Sequence, residues 1–397
     1  MNGTSTATQI RPGWLSIAAY TGMFTFGIVM ALLGAILPLI SQRLHFGLAQ
    51  AGNLFLALNA AMLITTLALG PLLDRFGMKP AFVVAPVFVA CAVCLIGGVS
   101  SFSGLIVAVV LLGTGGAALN QATNTLIADL NRDERKKGAA LNLLGVFFGF
   151  GALFLPFTIG ALLDVLGLKY ILYAAAALTL VTVALSLWFS FPRPQQSGGV
   201  PFAQVMRLAR QPLVIAFALL LFFESGNEFI LGGYVTSYLT RTLGATVATA
   251  SYLLAGYWGA LMLARIVLSR VSLRISGQTL MLASALGVAG SVALLILAHS
   301  LAVAAIATIL LGLSIAAIFP TSLALAGSRY ASHSGTVFGL LIGVALFGGI
   351  TLPLLAGRIA ETRSVRLGLS LAIVDALAIF ALQLIVGRIM RRQDYVQ

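Results

Sequence analysis

Apolar residues occur along this chain in runs of about 20, the length that a helix needs to cross the hydrocarbon core of a membrane. Short polar or glycine-rich segments separate the runs. The pattern predicts twelve transmembrane helices, near 14–40, 48–70, 80–99, 103–130, 138–163, 170–191, 213–240, 247–270, 278–298, 301–328, 335–358 and 366–388. The chain is therefore predicted to be an all-α membrane protein.

A polar stretch from Pro192 to Gln211 divides these helices into six and six. This stretch is the only one in the chain with the composition of a linker, and it begins Pro-Arg-Pro-Gln-Gln-Ser-Gly-Gly. We expect an N-terminal six-helix bundle at 1–191, a cytoplasmic linker at 192–212 and a C-terminal six-helix bundle at 213–397. Within the linker, Phe202–Arg210 is predicted to be a short amphipathic helix on the membrane surface.

The composition supports a membrane protein, because 60% of the residues are apolar and only 8% are charged. These values exclude an ordinary soluble domain and a disordered chain. The net charge of +13 would suggest nucleic-acid binding in a soluble protein. Here the basic residues fall in alternate loops instead, so no nucleic-acid partner is expected.

The distribution of basic residues predicts the orientation in the membrane. With the N-terminus inside, 17 of the 23 Lys and Arg residues lie in inner segments and 6 in outer ones. Cytoplasmic loops carry such an excess, so both termini are predicted to be cytoplasmic. No cleavable signal peptide is recognised at the N-terminus. We expect a multi-pass protein embedded in the lipid bilayer of the cell membrane, the inner membrane of a bacterium.

Catalytic and metal-binding patterns are missing from the sequence. Cys91 and Cys94 form a C-x-x-C inside an apolar helix without a second ligand pair, so both are interpreted as small packing residues. His45, His299 and His333 lie near different helix ends, and no Ser/His/Asp grouping falls in one loop. The sequence predicts no enzyme, no metal site and no cofactor.

Charge and glycine are concentrated in the segment Gly70-Pro-Leu-Leu-Asp-Arg-Phe-Gly-Met-Lys79. Asp74, Arg75 and Lys79 are costly in hydrocarbon, so the segment is predicted to be a loop at the water interface. Gly70 and Gly77 allow close helix approach and a sharp chain reversal.

The spelling G-x-L-x-D-R-x-G-x-K resembles the signature loop of the major facilitator superfamily of secondary transporters. The resemblance implies a monomer of two six-helix bundles that works by alternating access. It also implies that the segment forms a cytoplasmic gate, comprising Gly70, Asp74, Arg75, Gly77 and Lys79. Asp74 and Arg75 are expected to lock this gate when the carrier faces outward.

Two later segments are similar in sequence to Gly70–Lys79, called the signature segment below. Gly259–Arg265, followed by Arg270, is interpreted as its counterpart in the second half, with the acid lost. Gly160–Gly167 is similar in letters but falls on the predicted outer side. It is therefore interpreted as a helix end capped by glycine.

Three acids lie inside predicted spans, where charged groups are expensive and usually functional. Glu224 and Glu228 are four residues apart and so share one face of the seventh helix. Two carboxylates this close in a low dielectric cannot both ionise cheaply, so one should hold a proton or a cation should lie between them. The alternative is structural, with one glutamate paired to Arg265. Asp375, in the last helix, is interpreted as a packing or pairing residue.

An amide cluster in the fourth helix is the main candidate for solute binding. Asn120 and Asn124 share a face, and Gln121 and Thr125 lie beside them. Such groups either bond across helices or line a wet cavity, and they suit the recognition of sugar hydroxyls. Further candidates for contact with a solute are Asn227, Glu228, Tyr234, Tyr257 and Trp258. Weaker ones are Tyr20, Thr25, Asn53, Asn59 and Asn142.

Two of these segments are similar to the fucose/glucose–proton symporter branch of the superfamily. Glu228 followed by Tyr234-Val-Thr-Ser-Tyr-Leu239 resembles its seventh helix, and Asn120-Gln-Ala-Thr-Asn124 resembles its Glu-Thr-Ala-Ala-Asn segment. This chain has Asn120 where the branch has its proton-carrying glutamate, and its first helix has no acid. Any proton coupling must then involve Glu224 or Glu228. The arginine that the antiporter branch keeps in its fourth helix is missing, which disfavours drug efflux.

The predicted function is secondary active transport of a small neutral polar solute, a monosaccharide above all, together with protons. An efflux carrier for amphiphilic compounds, an uncoupled sugar facilitator and a non-transporting solute receptor are the alternatives. The intact signature segment disfavours the receptor, which has no need of a gate.

Overall fold

The computed structural model describes residues 12–131, 134–191, 202–271, 274–330 and 333–394. These residues form thirteen α-helices and no strand. In chain order the helices are α1 (Pro12–Arg43), α2 (Leu48–Phe76), α3 (Lys79–Gly98), α4 (Phe102–Leu130), α5 (Glu134–Trp188), α6 (Phe202–Ala209), α7 (Pro212–Leu243), α8 (Val247–Val271), α9 (Gly277–Ile296), α10 (Leu301–Ile315), α11 (Ile318–Arg329), α12 (Ser334–Thr362) and α13 (Val365–Asp394).

The number of membrane crossings agrees with the predicted twelve. Eleven stretches in the described part are long and apolar enough to cross, and one of them, Ala140–Trp188, has 49 residues. That stretch is broken at Gly167, whose φ of 74° and ψ of 156° are not helical. It therefore supplies the fifth and sixth crossings, on either side of the glycine expected to end the fifth helix.

The tenth crossing was predicted as one helix, which is wrong in detail, because it consists of α10 and α11 with a break at Ala316 and Ala317. Pro320 explains the break. Proline has no backbone N–H and its ring clashes with the carbonyl four residues earlier, here that of Ala316. Helical hydrogen bonding resumes in α11, where the Thr321 N–H donates to the Ala317 carbonyl oxygen at 3.1 Å.

The signature segment is mostly helical, which corrects its prediction as a loop. α2 continues to Phe76 and α3 begins at Lys79, leaving Gly77 and Met78 between them. Gly77 has a φ of 77° and donates its N–H to the Leu73 carbonyl oxygen at 2.9 Å, which ends α2. The second-half counterpart is helical as well, since Gly259 and Arg265 both lie inside α8. The charges occupy helix ends because helices can extend past the hydrocarbon into water.

The short helix α6 confirms the predicted helix after the central polar stretch. Residues 192–201 lie outside the described part, so the linker and the two domain boundaries stay predictions. Two side-chain contacts attach this region to the chain between α11 and α12. Gln204 of α6 contacts His333, and the Tyr330 hydroxyl donates to Gln211 Oε1 at 2.8 Å.

Helices α1–α5 pack among themselves and form the first helix set, and α7–α13 form the second. Four helix pairs join the two sets: α1 with α7, α1 with α8, α2 with α12 and α5 with α8. At one end the two sets touch through backbone. Gly34 lies so close to Gly232 that an added Cβ would overlap the Gly232 carbonyl oxygen, and Gly52 likewise meets Leu354. We call this contact zone the closed seam. It contains the C-terminal ends of α1, α7 and α12 and the N-terminal end of α2.

Toward the opposite end the two sets separate. In the part of the chain that the structure describes, α4 forms no packing interface with α10 or α11. The C-terminal half of α2 becomes exposed there, with Ile64 and Leu67 each 68% accessible. A cleft between the two sets therefore opens at this end, which the charge distribution predicts to be cytoplasmic.

The interpretation of Cys91 and Cys94 as packing residues is wrong. Both thiols are exposed on the outer face of α3, while their neighbours Ala92 and Val93 are fully buried. A helix at the periphery of a bundle turns one face to lipid, and the small apolar thiol is tolerated there. No group of three metal-ligating side chains occurs among the described residues.

Candidate functional site

The two acids of α7 lie one turn apart near the middle of the helix and differ in accessibility. Glu224 is only 2% exposed, and its Oε2 is buried without a hydrogen-bond partner. Glu228 is half-buried. Glu224 is therefore enclosed in protein, while Glu228 keeps part of its surface accessible.

Arg265 of α8 is the cation of this region. It lies close enough to Glu224, Glu228 and the Tyr257 hydroxyl for their charges to interact. Its guanidinium lies over the Phe148 ring of α5, 5.5 Å from the ring centre. Its Nε is buried without a hydrogen-bond partner.

The alternative in which Arg265 pairs with a glutamate is not seen, because no hydrogen bond or ion pair joins them in the described structure. Arg265 instead contacts the aromatic ring that α5 contributes from the other helix set. The arrangement leaves three ionisable groups in one low-dielectric region, where Glu224 Oε2 and Arg265 Nε have no hydrogen-bond partner.

The structure places four of the candidate solute-binding residues inside helix packing. Asn227, Tyr234, Tyr257 and Trp258 are each at most 2% exposed. The Tyr234 hydroxyl donates to the Pro353 carbonyl oxygen at 3.1 Å. None of the four is accessible to a solute in this conformation. Their contact with a solute therefore stays a prediction.

Trp258 shows how these aromatic rings are used. Its ring lies edge-on to Phe148 at 6.0 Å and to Tyr257 at 5.0 Å. Edge-to-face pairs of this kind stabilise helix packing. The Trp258 Nε1, the Tyr257 hydroxyl and both amide atoms of Asn227 nevertheless lack a hydrogen-bond partner. These buried side chains therefore keep unused hydrogen-bond donors and acceptors.

The amide cluster of α4 is partly accessible, as a cavity-lining role requires. Asn120, Gln121, Asn124 and Thr125 are all half-buried. Asn124 Nδ2 donates to Asn120 Oδ1 at 2.9 Å and to the Asn120 carbonyl oxygen at 2.7 Å, which fixes the pair. Gln121 lies near Gly70 of α2 and keeps an unpartnered Oε1.

The predicted gate residues lie at the open end. Arg75 is exposed and lies over the Phe76 ring at 5.1 Å, and Lys79 Nζ donates to the Leu187 carbonyl oxygen at 3.3 Å. The side chain of Asp74 lies outside the described part of the structure. The gating role of Gly70, Asp74, Arg75, Gly77 and Lys79 therefore stays a prediction.

The weaker candidates divide into structural and accessible groups. Thr25 bonds the Thr21 carbonyl oxygen of its own helix, and Asn59 joins α2 to the Gly349 carbonyl oxygen of α12 at 3.0 Å. Tyr20 is half-buried and stacks on Phe147 at 4.6 Å. Asn53 and Asn142 are exposed.

Asp375 lies on α13, which packs against α7, α9 and α12. It is 1% exposed and its Oδ2 has no hydrogen-bond partner, so the predicted pairing is not seen at that atom.

Sequence reasoning missed the bonds that join the two helix sets. The Thr236 hydroxyl of α7 donates to the Gly34 carbonyl oxygen of α1. The Leu48 N–H of α2 donates to Glu361 Oε2 of α12 at 2.7 Å. In each bond one partner is a backbone atom, so residue types alone carried no signal for the pair.

Twelve crossings, a seam closed at one end and a cleft with buried charge define a multi-pass helical membrane protein of the transporter class. The sequence profile of the Major Facilitator Superfamily matches residues 19–226, more than half of the chain. The chain belongs to this superfamily, and the resemblance of its signature segment is confirmed. It is therefore a membrane transport protein rather than an enzyme.

Individual relatives are distant. The chain is 24% identical over 347 residues to the fosmidomycin resistance protein of Escherichia coli, covering 86% of this chain and 84% of that protein. Its fold is similar to that of the nucleoside transporter NupG, with a TM-score of 0.77, 13% identity and coverage of 95% and 99%. The fucose–proton symporter FucP of E. coli also matches, with a TM-score of 0.66, 19% identity and coverage of 94% and 98%. At these identities the structural matches show the fold alone.

Proposed function

We propose that this protein is a proton-coupled secondary transporter for a small neutral polar solute of the monosaccharide class. It works by alternating access, with the two helix sets moving about a site near the middle of the membrane. The structure then corresponds to the inward-open conformation, since the predicted cytoplasmic end holds the cleft.

The observation that supports the proposal is the pair Glu224 and Glu228, one turn apart on α7, the first enclosed and the second half-buried. A carboxyl group in a low-dielectric region favours its neutral form, and a neighbouring negative charge adds to this preference. In this proposal Glu228 exchanges a proton with water, and the charge of Arg265 responds to its protonation. Loading and release of that proton would couple solute movement to the proton gradient.

The amide cluster supports a neutral, hydroxyl-rich solute. Asn120, Gln121 and Asn124 offer donors and acceptors from a partly accessible helix face. The half-buried, stacked rings of Tyr20 and Phe147 offer an apolar surface of the kind that packs against the face of a sugar ring. A solute with several hydroxyl groups and one apolar face suits this combination.

A second candidate function is the export of toxic compounds. The similarity to resistance proteins favours it, the fosmidomycin resistance protein of Escherichia coli among them. Arg265, with its unpartnered Nε, could then attract a negatively charged compound instead of serving Glu228 alone.

The test is solute-driven proton uptake by proteoliposomes containing a pH-sensitive dye, with monosaccharides screened one at a time. We expect a sugar-dependent proton flux in the wild type that Glu228→Gln abolishes while sugar counterflow persists. Asp164→Asn is the matched control, because Asp164 is an exposed acid of α5.

Each other outcome assigns a different role. Sugar counterflow without proton flux would make the protein a facilitator and give the glutamates a structural role. Sugar binding without counterflow would indicate a receptor. No response to any sugar, together with drug susceptibility on gene deletion, would replace the sugar proposal by export.

The amide cluster is tested by the KM of the same transport. Removing one neutral hydrogen bond costs about 0.5–1.5 kcal/mol, so Asn120→Ala should raise KM about two- to tenfold. Asn53→Ala removes an exposed amide of α2 and should leave KM unchanged. An Asn120→Ala variant with the wild-type KM would exclude the Asn120 amide from the binding site.

A further inference from the structure

The N-terminus of α2 receives its cap from the other helix set. Gly47, the N-cap residue, has no side chain to accept a hydrogen bond from the first turn. The Leu48 N–H donates instead to Glu361 Oε2, 313 positions later in the chain, at 2.7 Å. Unpaired N–H groups of the first turn and the helix dipole both favour a negative group at this place.

Gly47 provides the room for this contact. A Cβ at position 47 would collide with all three atoms of the Glu361 carboxyl group. The carboxylate therefore fills the space that any other side chain would occupy. Two independent features, an N–H that needs an acceptor and a glycine that leaves space for one, meet at the same carboxylate.

From this geometry we propose that Glu361 is a positioning residue of the transport cycle, which holds the closed seam together by capping α2 across the two helix sets. The cap exists only while the end of α12 lies against the start of α2. When the seam opens, the Leu48 N–H and the carboxylate must both return to water. Glu361 thus stabilises the conformation seen here relative to the one open at the opposite side, whichever solute is carried.

Double electron–electron resonance (DEER) in lipid nanodiscs tests this proposal directly. Spin labels at Ser100 and His299 report the opening of the seam, because both residues are exposed at the end of the molecule that contains it, one in each helix set. Cys91 and Cys94 are replaced by alanine in this background, so that only the introduced cysteines react.

Glu361→Ala should increase the ratio of open to closed seam about two- to tenfold, the range expected for losing one exposed, charge-assisted cap. Glu361→Gln keeps an acceptor oxygen but not the charge, and should give a smaller increase. Gly47→Ala should match Glu361→Ala, because it displaces the carboxylate without removing it. Asp164→Ala removes an exposed acid outside the seam and should leave the distances unchanged.

Wild-type distances in both Glu361→Ala and Gly47→Ala would overturn the proposal. A shift in Glu361→Ala without one in Gly47→Ala would also overturn it, since the effect would not pass through the cap. If Glu361→Ala is not recovered as folded protein, the distances in Glu361→Gln and Gly47→Ala test the proposal, and wild-type distances in both would overturn it. These measurements need no solute, so their outcome is independent of the proposed proton-coupled sugar transport.

Discussion

Thr236 of α7 donates its hydroxyl hydrogen to the carbonyl oxygen of Gly34 in α1. The bond lies at a close approach of the two helices, because Gly34 also packs against the Gly232 carbonyl group one turn earlier on α7. Glycine at 34 allows the backbones to approach, and the threonine hydroxyl then reaches an acceptor in the neighbouring helix. Close helix approach through small residues is a usual way of joining helices in membranes.

We expect Thr236→Val, which is nearly isosteric, to weaken the closed seam by about 1 kcal/mol, or about fivefold in the ratio of closed to open forms. DEER between labels at Ser100 and His299 measures this ratio. Thr240→Val is the control, because the Thr240 hydroxyl bonds only carbonyl groups of its own helix, those of Thr236 and Ser237. Equal shifts in the two variants would show that the bond to Gly34 has no special part in closure.

We expect Arg265→Lys to lower the transport rate about tenfold although the charge is kept. Lysine lacks the planar group that stacks on Phe148, and stacking of this kind contributes about 0.5–2 kcal/mol. Phe148→Leu should give a similar loss, because it removes the same contact from the other side. Arg270→Lys, at an exposed position in the last turn of α8, is the control in the same rate assay. Full activity of Arg265→Lys would mean that charge alone matters at this position.

We expect Gly167→Ala to lower the free energy of unfolding by about 1–3 kcal/mol through backbone strain alone, because its φ and ψ lie in a region that essentially only glycine adopts. The φ of Gly167 is 74°, and no atom lies within 4 Å of the Cβ that alanine would add. Gly290→Ala adds a Cβ in equally open space but inside the regular helix α9, so it should not destabilise. Thermal unfolding in detergent compares the two. Equal loss in both variants would argue against strain at the break between the fifth and sixth crossings.

We expect both termini to lie in the cytoplasm, as the excess of basic residues in alternate segments indicates. Green fluorescent protein fused to the C-terminus should then fluoresce, and alkaline phosphatase fused there should be inactive. The same phosphatase fused after His299 should be active. The reverse pattern would place the closed seam on the cytoplasmic side and the signature segment on the outer side.

Much of the fold could be predicted because its signals are local. A run of about 20 apolar residues must cross the membrane whatever surrounds it, so the twelve crossings followed from the chain alone. Gly167 and the helix after the central polar stretch were likewise predictable. The break before Pro320 was missed although proline breaks helices locally, because hydropathy alone does not record backbone geometry.

The candidate site was predictable only in part. Helical spacing predicts that Glu224 and Glu228 share a face, but not that one is enclosed and the other accessible. That difference depends on which neighbouring helix covers each turn of α7. Tyr234, Tyr257 and Trp258 have the residue types that bind sugars, yet their burial depends on the neighbours that pack against them.

The sequence by itself determined the class of the protein, its crossings, its signature segment and the positions of its intramembrane charges. These properties depend on the free energy of placing each residue in lipid or water, and each residue contributes to it independently of the tertiary structure. Only the tertiary structure decided which end is closed, that Arg265 stacks on Phe148, and that Glu361 caps α2. These contacts join residues far apart in the chain, often through a backbone atom that every residue possesses, so only the packing of the helices brings them together.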